Sequence, residues 1–328
     1  MRPLINFLRR VNFYTCGSTD TSANMLNISK QKKRVKKYRK AYKNYLSVLL
    51  QLFFKKEASL QNDKIMIKVV LKDGTKLNVP YGWVVRFAEF NMYQNANVSN
   101  LTLTENGIFF RYKGIPVILD PARFSDPGAV FLREDYKFLN VKDRDVIDVG
   151  INIGDSTIYF ALNGAKRVIG LEPYPYAFSY AEKNIKMNNI KNAILLNAGY
   201  GRDSKICVDE KKIISSSSGL IPSEDGGKEI PLYSLKTLFE KYEIKEAVLK
   251  MDCEGCEYDL LYEDNETLKK LFMIQIEYHY GYEKLKEKLE NAGFKVQYTE
   301  QRKSYNPYAS DPNMILGYIY ASNSATPI

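Results

Sequence analysis

The side chains best suited to chemistry fall in a few short stretches. In VIDVGINIGDST, Asp148, Gly150, Asn152, Gly154 and Asp155 stand at and just beyond the end of an apolar run. Glycines at such a turn let backbone approach a ligand more closely than a side chain would allow. Asp155 and Ser156 suit the cap or first turn of a helix. In RVIGLEP, Glu172 closes a second apolar run, and a carboxylate at the tip of a second strand is where nucleotide-type sites hold a ribose diol. LNAGYG closes a third run, with Asn197 and Ala198 placed to border an adenine. Two further runs end in KMDCEGCEYDLL and IQIEYHYGY. They offer Asp252, Glu254 and Glu277, beside His279, the only histidine, as candidates for a base or for acceptor binding. Neutral histidine is the usual base near pH 7.

Such residues work only if elements bring them to one edge. Apolar runs at 145–149, 167–172, 193–198, 246–252, 272–278, 294–299 and 314–321 predict strands. Helical patterns near 155–163, 175–188, 234–243, 257–271 and 282–292 alternate with most of them. Alternation of this kind predicts a parallel sheet covered on both faces, with ligands at its carboxyl edge. The last two strands have no helix between them, so they predict a closing antiparallel hairpin. The Ser- and Gly-rich stretch 215–229 reads as a lid or a long hairpin tip.

The turn after the first strand reads acidic-x-Gly-x-x-x-Gly, unlike the GxGxxG of dinucleotide sites. It resembles motif I of the class I S-adenosyl-L-methionine (SAM) methyltransferases, and the closing hairpin is a hallmark of that class. DVGINIGDS, GLEPYP, LNAGYG, KMDCEGCEYDLL and IEYHYGYEKLKEKLENAGF together resemble the FkbM family of SAM-dependent methyltransferases, with an archaeal flavour. The resemblance runs from about Glu134 to Ala321. It implies an α/β, Rossmann-like, seven-stranded sheet and SAM as cofactor. Asp148, Gly150, Asn152, Gly154, Asp155, Glu172, Asn197, Ala198 and Asp252 would bind that cofactor, Asp252 by holding its amino group. It also implies an alcohol acceptor such as a sugar, glycolipid or polyketide hydroxyl. No metal ligands are assigned, although several carboxylates at one edge are of a kind that holds a divalent ion.

Charge is unevenly placed. Residues 1–62 carry 14 Lys or Arg against 2 Asp or Glu, while the rest carries 34 against 36. In 28–54, Ile28, Val35, Tyr38, Tyr42, Tyr45, Leu49 and Phe53 form one helical stripe among basic residues. Such a helix lies on an anionic membrane surface, binds phosphates, or packs its stripe on the body. Residues 63–133 read as a small β-rich accessory or substrate unit, with turns at Asp73-Gly74, Asn106-Gly107 and Lys113-Gly114 and a helix over GWVVRFAEFNMY. The division is therefore 1–62, 63–133 and 134–328. No run reaches the roughly 20 apolar residues of a membrane span, and no signal peptide is read. The four cysteines read as reduced, and the lone CxxC of Cys253 and Cys256 is a poor zinc site. The expected location is cytoplasmic, at most peripheral to the inner membrane face.

Two other readings stand beside the hydroxyl acceptor. ALNGAKRVIGLEPYPYAFSYAEKNIKMNN is similar to part of the archaeal tRNA guanine-N1 methyltransferases, but those enzymes commonly carry N/D-P-P after the fourth strand. Asp252-Cys253-Glu254-Gly255 stands there instead, which makes nucleic acid the weaker acceptor. A catalytically idle SAM-binding module is the other.

Overall fold

The computed structural model describes residues 32–56, 58–62, 64–92, 95–122, 125–209, 227–303 and 314–323. The sixteen strands among the described residues begin, in chain order, with an antiparallel pair, β1 (Met66–Val70) and β2 (Lys76–Pro80). A second, three-stranded sheet follows: β3 (Val98–Thr104), β4 (Gly107–Tyr112) and β5 (Ile115–Leu119). The accessory region is thus two small sheets, turning where the glycines predict. Helix Tyr81–Phe90 lies between them in sequence and carries Trp83.

The main sheet is built from β6 (Asp145–Val149), β7 (Arg167–Leu171), β8 (Ala193–Leu196), β12 (Ala247–Met251), β13 (Leu271–Tyr278), β14 (Phe294–Tyr298) and β16 (Ile315–Asn323). Their order is β14-β16-β13-β12-β6-β7-β8, and the short β15 (Arg302–Lys303) pairs with β16. β6, β7, β8, β12 and β13 run parallel, while β16 is antiparallel to both β13 and β14. Every residue of β6 and of β12 is buried, as expected when helices cover both faces. Alternation along the strands divides the core. Val146, Val168 and Val248 join a cluster that continues through Tyr38, Tyr42, Trp83, Phe110 and Phe131. Ile147, Ile169 and Leu249 face the other way, onto Leu235, Leu238, Leu285 and Leu289. The N-terminal segment and the two small sheets therefore extend one face of the main core.

Three local differences from the sequence reading have physical causes. The basic stripe is two helices, 32–41 and Tyr45–Phe54. The break falls where Lys43 N–H donates to the Val70 carbonyl (2.8 Å) and Asn44 Oδ1 accepts from Val70 N–H (2.8 Å). Tyr38, Tyr42 and Leu49 of the stripe are buried on the body, Phe53 is half exposed, and Ile28 lies outside the described residues. The expected helix 257–271 is instead a 3-10 turn, Cys256–Tyr262, followed by a short helix, Asn265–Leu268. The Asp264 side chain restarts it by accepting from Thr267 N–H. Finally, β9 (Gly199–Tyr200), β10 (Ser204–Val208) and β11 (Lys228–Tyr233) form a third small sheet that the sequence did not announce. β10 and β11 are antiparallel arms around the Ser- and Gly-rich stretch, of which 215–226 lies outside the described residues.

Candidate active site

The first turn is built by close approach. Gly150 has φ +76, and a Cβ there would run into the Asp252 carbonyl, so the β6 and β12 ends touch backbone to backbone. Gly154 has φ +81 and packs against Ala181. Asn152 holds the same left-handed conformation at φ 50, which Asn tolerates better than most residues. Helix Asp155–Leu162 starts directly after Gly154.

A cavity opens at this carboxyl edge. Gly150, Asn152, Asp155, Glu172, Asp252 and Glu254 all line it. Glu172 is 6% exposed; its Oε2 accepts from Asn152 N–H (2.9 Å) and its Oε1 from Tyr174 N–H (3.0 Å). Burial raises its pKa to about 7. Burial raises Asp155 to about 7 as well. The buried Oδ1 of Asn152 has no hydrogen-bond partner among the described residues. A polar cradle with an unmet acceptor is ready for a ligand carrying hydroxyls and an amine.

Other expected contacts are arranged differently. Asp148 is fully buried and does not line the cavity. Its Oδ2 accepts from Ser156 Oγ and Thr157 Oγ1, both at 2.8 Å, and Lys250 Nζ stands 3.1 Å from its Oδ1. Lys250 also donates to the carbonyls of Val149 (3.1 Å) and Gly150 (2.7 Å). Burial alone would lower the Lys250 pKa, but Asp148 and Asp252 outweigh it and hold it above the usual value. Asp148 and Lys250 thus fix the shape of the loop. Asn197 donates to the carbonyls of Glu172 (2.9 Å) and Pro173 (3.1 Å), which shapes the β7 end; Ala198 is buried, and neither lines the cavity. Lys250 had a legible signal, a lone cation inside an apolar strand, that the sequence reading passed over. Tyr136, whose hydroxyl donates to Asp252 Oδ2 at 3.3 Å, had none.

The acceptor-side candidates cluster with Asp252 and Glu254; Glu277 and His279 are not among the residues that line the cavity. His279 is 2% exposed and lies between two carboxylates. Its Nδ1 is 3.0 Å from Glu257 Oε1, and its Nε2 is 3.3 Å from Glu254 Oε2. Burial alone would lower the His279 pKa, but the Glu257 hydrogen bond and the charges of Glu257, Glu254 and Asp252 raise it to about 10. That direction runs against the expectation of a neutral base. Burial raises both Glu254 and Glu277 to about 8, with neighbouring carboxylates adding to the effect. Glu257 is itself fully buried. It is therefore a partner of His279 rather than a surface charge at a helix start. Donor atoms of Asp252, Glu254 and His279 lie within 4.8 Å of one another. Cys253 and Cys256 are joined in a disulfide, against the reduced state expected. Glu254 (φ 57) and Gly255 (φ 123) fold the chain back and bring the two Cα atoms to 5.5 Å.

The strand order 3-2-1-4-5-7-6, with the seventh strand antiparallel, is that of the class I methyltransferases. Residues 148–296 match the methyltransferase FkbM domain model. This stretch is similar to the FkbM methyltransferase domains. The cofactor of the family is SAM, and the cradle of Asn152, Asp155 and Glu172 fits it.

Two curated relatives overlap parts of the chain. A candidate protein N5-glutamine methyltransferase of Methanocaldococcus jannaschii is 38% identical over 52 residues, 16% of this chain and 26% of that one. An uncharacterized protein of Sulfolobus islandicus rod-shaped virus 1 is 29% identical over 125 residues, 38% of this chain and 56% of that one. The chain thus spans about a quarter and about half of their lengths. Among solved structures, Trm5b from Pyrococcus abyssi aligns at TM-score 0.38 and 16% identity over 74% of this chain and 68% of that one. M. jannaschii TYW2 in complex with AdoMet aligns at 0.36 and 19% over 68% and 90%. At these scores the likeness adds nothing to the strand order, which stands on the sheet itself.

Proposed function

We propose that this protein transfers the methyl group of SAM to a hydroxyl of a sugar, glycolipid or similar acceptor. The observation that carries the reading is the acidic wall of the cavity. Asp252 and Glu254 line it together with Glu172, in a segment reading Asp-Cys-Glu-Gly rather than N/D-P-P. An alcohol is a weak nucleophile, so its proton needs an acceptor close to the reacting oxygen. The hydroxyl oxygen bonds to the methyl carbon as the carbon–sulfur bond breaks, in line. The proton passes to a carboxylate of this wall, and S-adenosylhomocysteine leaves. Asn152 and Glu172 hold the donor; Asp252 and Glu254 face the acceptor, and Glu277 acts on them through its charge.

The acceptor belongs, on this reading, at an anionic lipid surface. Helix Tyr45–Phe54 buries Val48, Leu49 and Leu52 but exposes Leu46 (43%), Leu50 (38%), Phe53 (38%) and Phe54 (73%). Residues 32–56 add ten Lys or Arg and no Asp or Glu. Exposed apolar side chains in a cation-rich segment suit a headgroup layer better than a phosphate backbone. No helix among the described residues is long and apolar enough to cross a membrane.

The test is transfer of isotope-labelled methyl from SAM to fractionated extract of the source organism by the full chain. Label recovered as methyl ether in glycan or lipid supports the reading. Ribonuclease-sensitive label would replace it with an RNA acceptor. Absence of any label, with SAM binding intact, would make the protein an idle SAM-binding module.

A further inference from the structure

We infer that Asp252, Glu254 and His279 bind one divalent cation on the acceptor side of the cavity. Three observations lead there. The first is spacing: one donor atom from each residue lies within 4.8 Å of the others. Metal–ligand distances of about 2.0–2.4 Å on either side of an ion span that separation. The three are contributed by separate places in the chain, the β12 end, the turn after it and the β13 end, which converge on one spot.

The second is the way the histidine is held. His279 is buried, and Glu257 fixes it from behind through both its backbone N–H (2.9 Å) and Nδ1 (3.0 Å). Glu257 is anchored in turn by Gly255 N–H at 2.8 Å. Only Nε2 is left to face Glu254 and Asp252. A buried carboxylate on one ring nitrogen, with the other nitrogen turned toward acidic oxygens, is how metal-ligating histidines are oriented.

The third is charge. Asp252, Glu254, Glu257 and Glu277 all act electrostatically on His279 or on one another. The nearby ammonium, Lys250, is already bound to Asp148 and to two carbonyls. Carboxylate oxygens of Asp252 and Glu254 gathered beside one imidazole nitrogen are donors of the kind a dication takes. Two carboxylates with one imidazole suit a first-row dication such as Mn2+. Because Asp252 and Glu254 line the cavity, the ion is open to it and can take an acceptor hydroxyl as a further ligand, which lowers that hydroxyl's pKa. This last role rests on the proposed function; the binding itself does not.

Mn2+ titrated onto the full chain, with free Mn2+ followed by EPR, tests the site. The wild type should show one saturable site, with histidine nitrogen coupling in its pulsed spectrum. His279→Gln and Glu254→Gln should abolish it or weaken it at least roughly tenfold. SAM affinity, measured on the same samples, reports whether each variant is folded. Glu254 is the less buried of the two and keeps the test open should His279→Gln fail to fold. No saturable binding in the wild type, or equal binding in folded variants, would overturn the site. If Mn2+ bound while SAM did not, the proposed function would fall and the site would stand.

Discussion

Lys250 shows how one side chain sets the loop that the cofactor needs. It is 1% exposed inside a parallel strand, and it ties Asp148 to two loop carbonyls. Removing one partner of such a pair leaves a buried charge alone, which costs about 3–5 kcal/mol. Lys250→Met is therefore expected to lower unfolding free energy by that order in a urea titration, and adding Asp148→Asn should recover part of the loss. Glu172 gives the pH dependence. Its folded pKa, about 7, lies above the ordinary carboxylate value of 4.5. The folded state thus holds the proton more tightly, and stability from this group is full below pH 4.5 and lost as pH rises through 7. Asp155, also raised to about 7, acts in the same direction. Ligand-free protein should melt at progressively lower temperature between about pH 5 and pH 8, and Glu172→Gln should flatten that slope. An unchanged slope in the variant would show that Glu172 is not the titrating group.

At the scale of elements, the turns after β6 and β12 act as one unit because their backbones touch. Gly150→Ala puts a methyl into the Asp252 carbonyl at φ +76, a strain of about 1–3 kcal/mol. It is expected to lower both the melting temperature and SAM affinity, since the same shift moves Asn152 and Asp252. A variant with lower stability but normal SAM affinity would separate the two turns. Helix Tyr45–Phe54 carries a different prediction. Phe53→Ser with Phe54→Ser removes two exposed rings, so the melting temperature should hold while co-sedimentation with anionic vesicles falls. Equal co-sedimentation would remove this helix from any membrane contact. The break between the two basic helices was not legible, because it depends on Val70, which follows Asn44 by 26 residues, beyond helix Tyr45–Phe54 and the short helix Ala58–Gln61.

Over the whole molecule, the strands of the main sheet were readable because each is a short apolar run bounded by charge or glycine, and burial on both faces demands that pattern. Gly150, Asn152, Asp155 and Glu172 were readable because their spacing follows from strand, turn and helix in direct succession. What lay hidden was pairing across distance. Nothing local says that Asp148 meets Lys250, that Asn197 braces the β7 end, or that His279 lies between Glu254 and Glu257. The segregated charge was legible in sign but not in consequence, since the sequence left three fates open for the stripe, and Tyr38, Tyr42 and Leu49 pack on the body while Phe53 stays exposed. The central claim is that SAM is held in the cavity at the carboxyl edge with Glu172 as its anchor. Calorimetric titration of SAM onto the wild type and onto Glu172→Ala tests it most directly. A lost hydrogen bond to a charged group is worth about 1.5–3 kcal/mol, so affinity should fall roughly 10- to 100-fold. Equal affinity in a folded variant would contradict the placement of the cofactor.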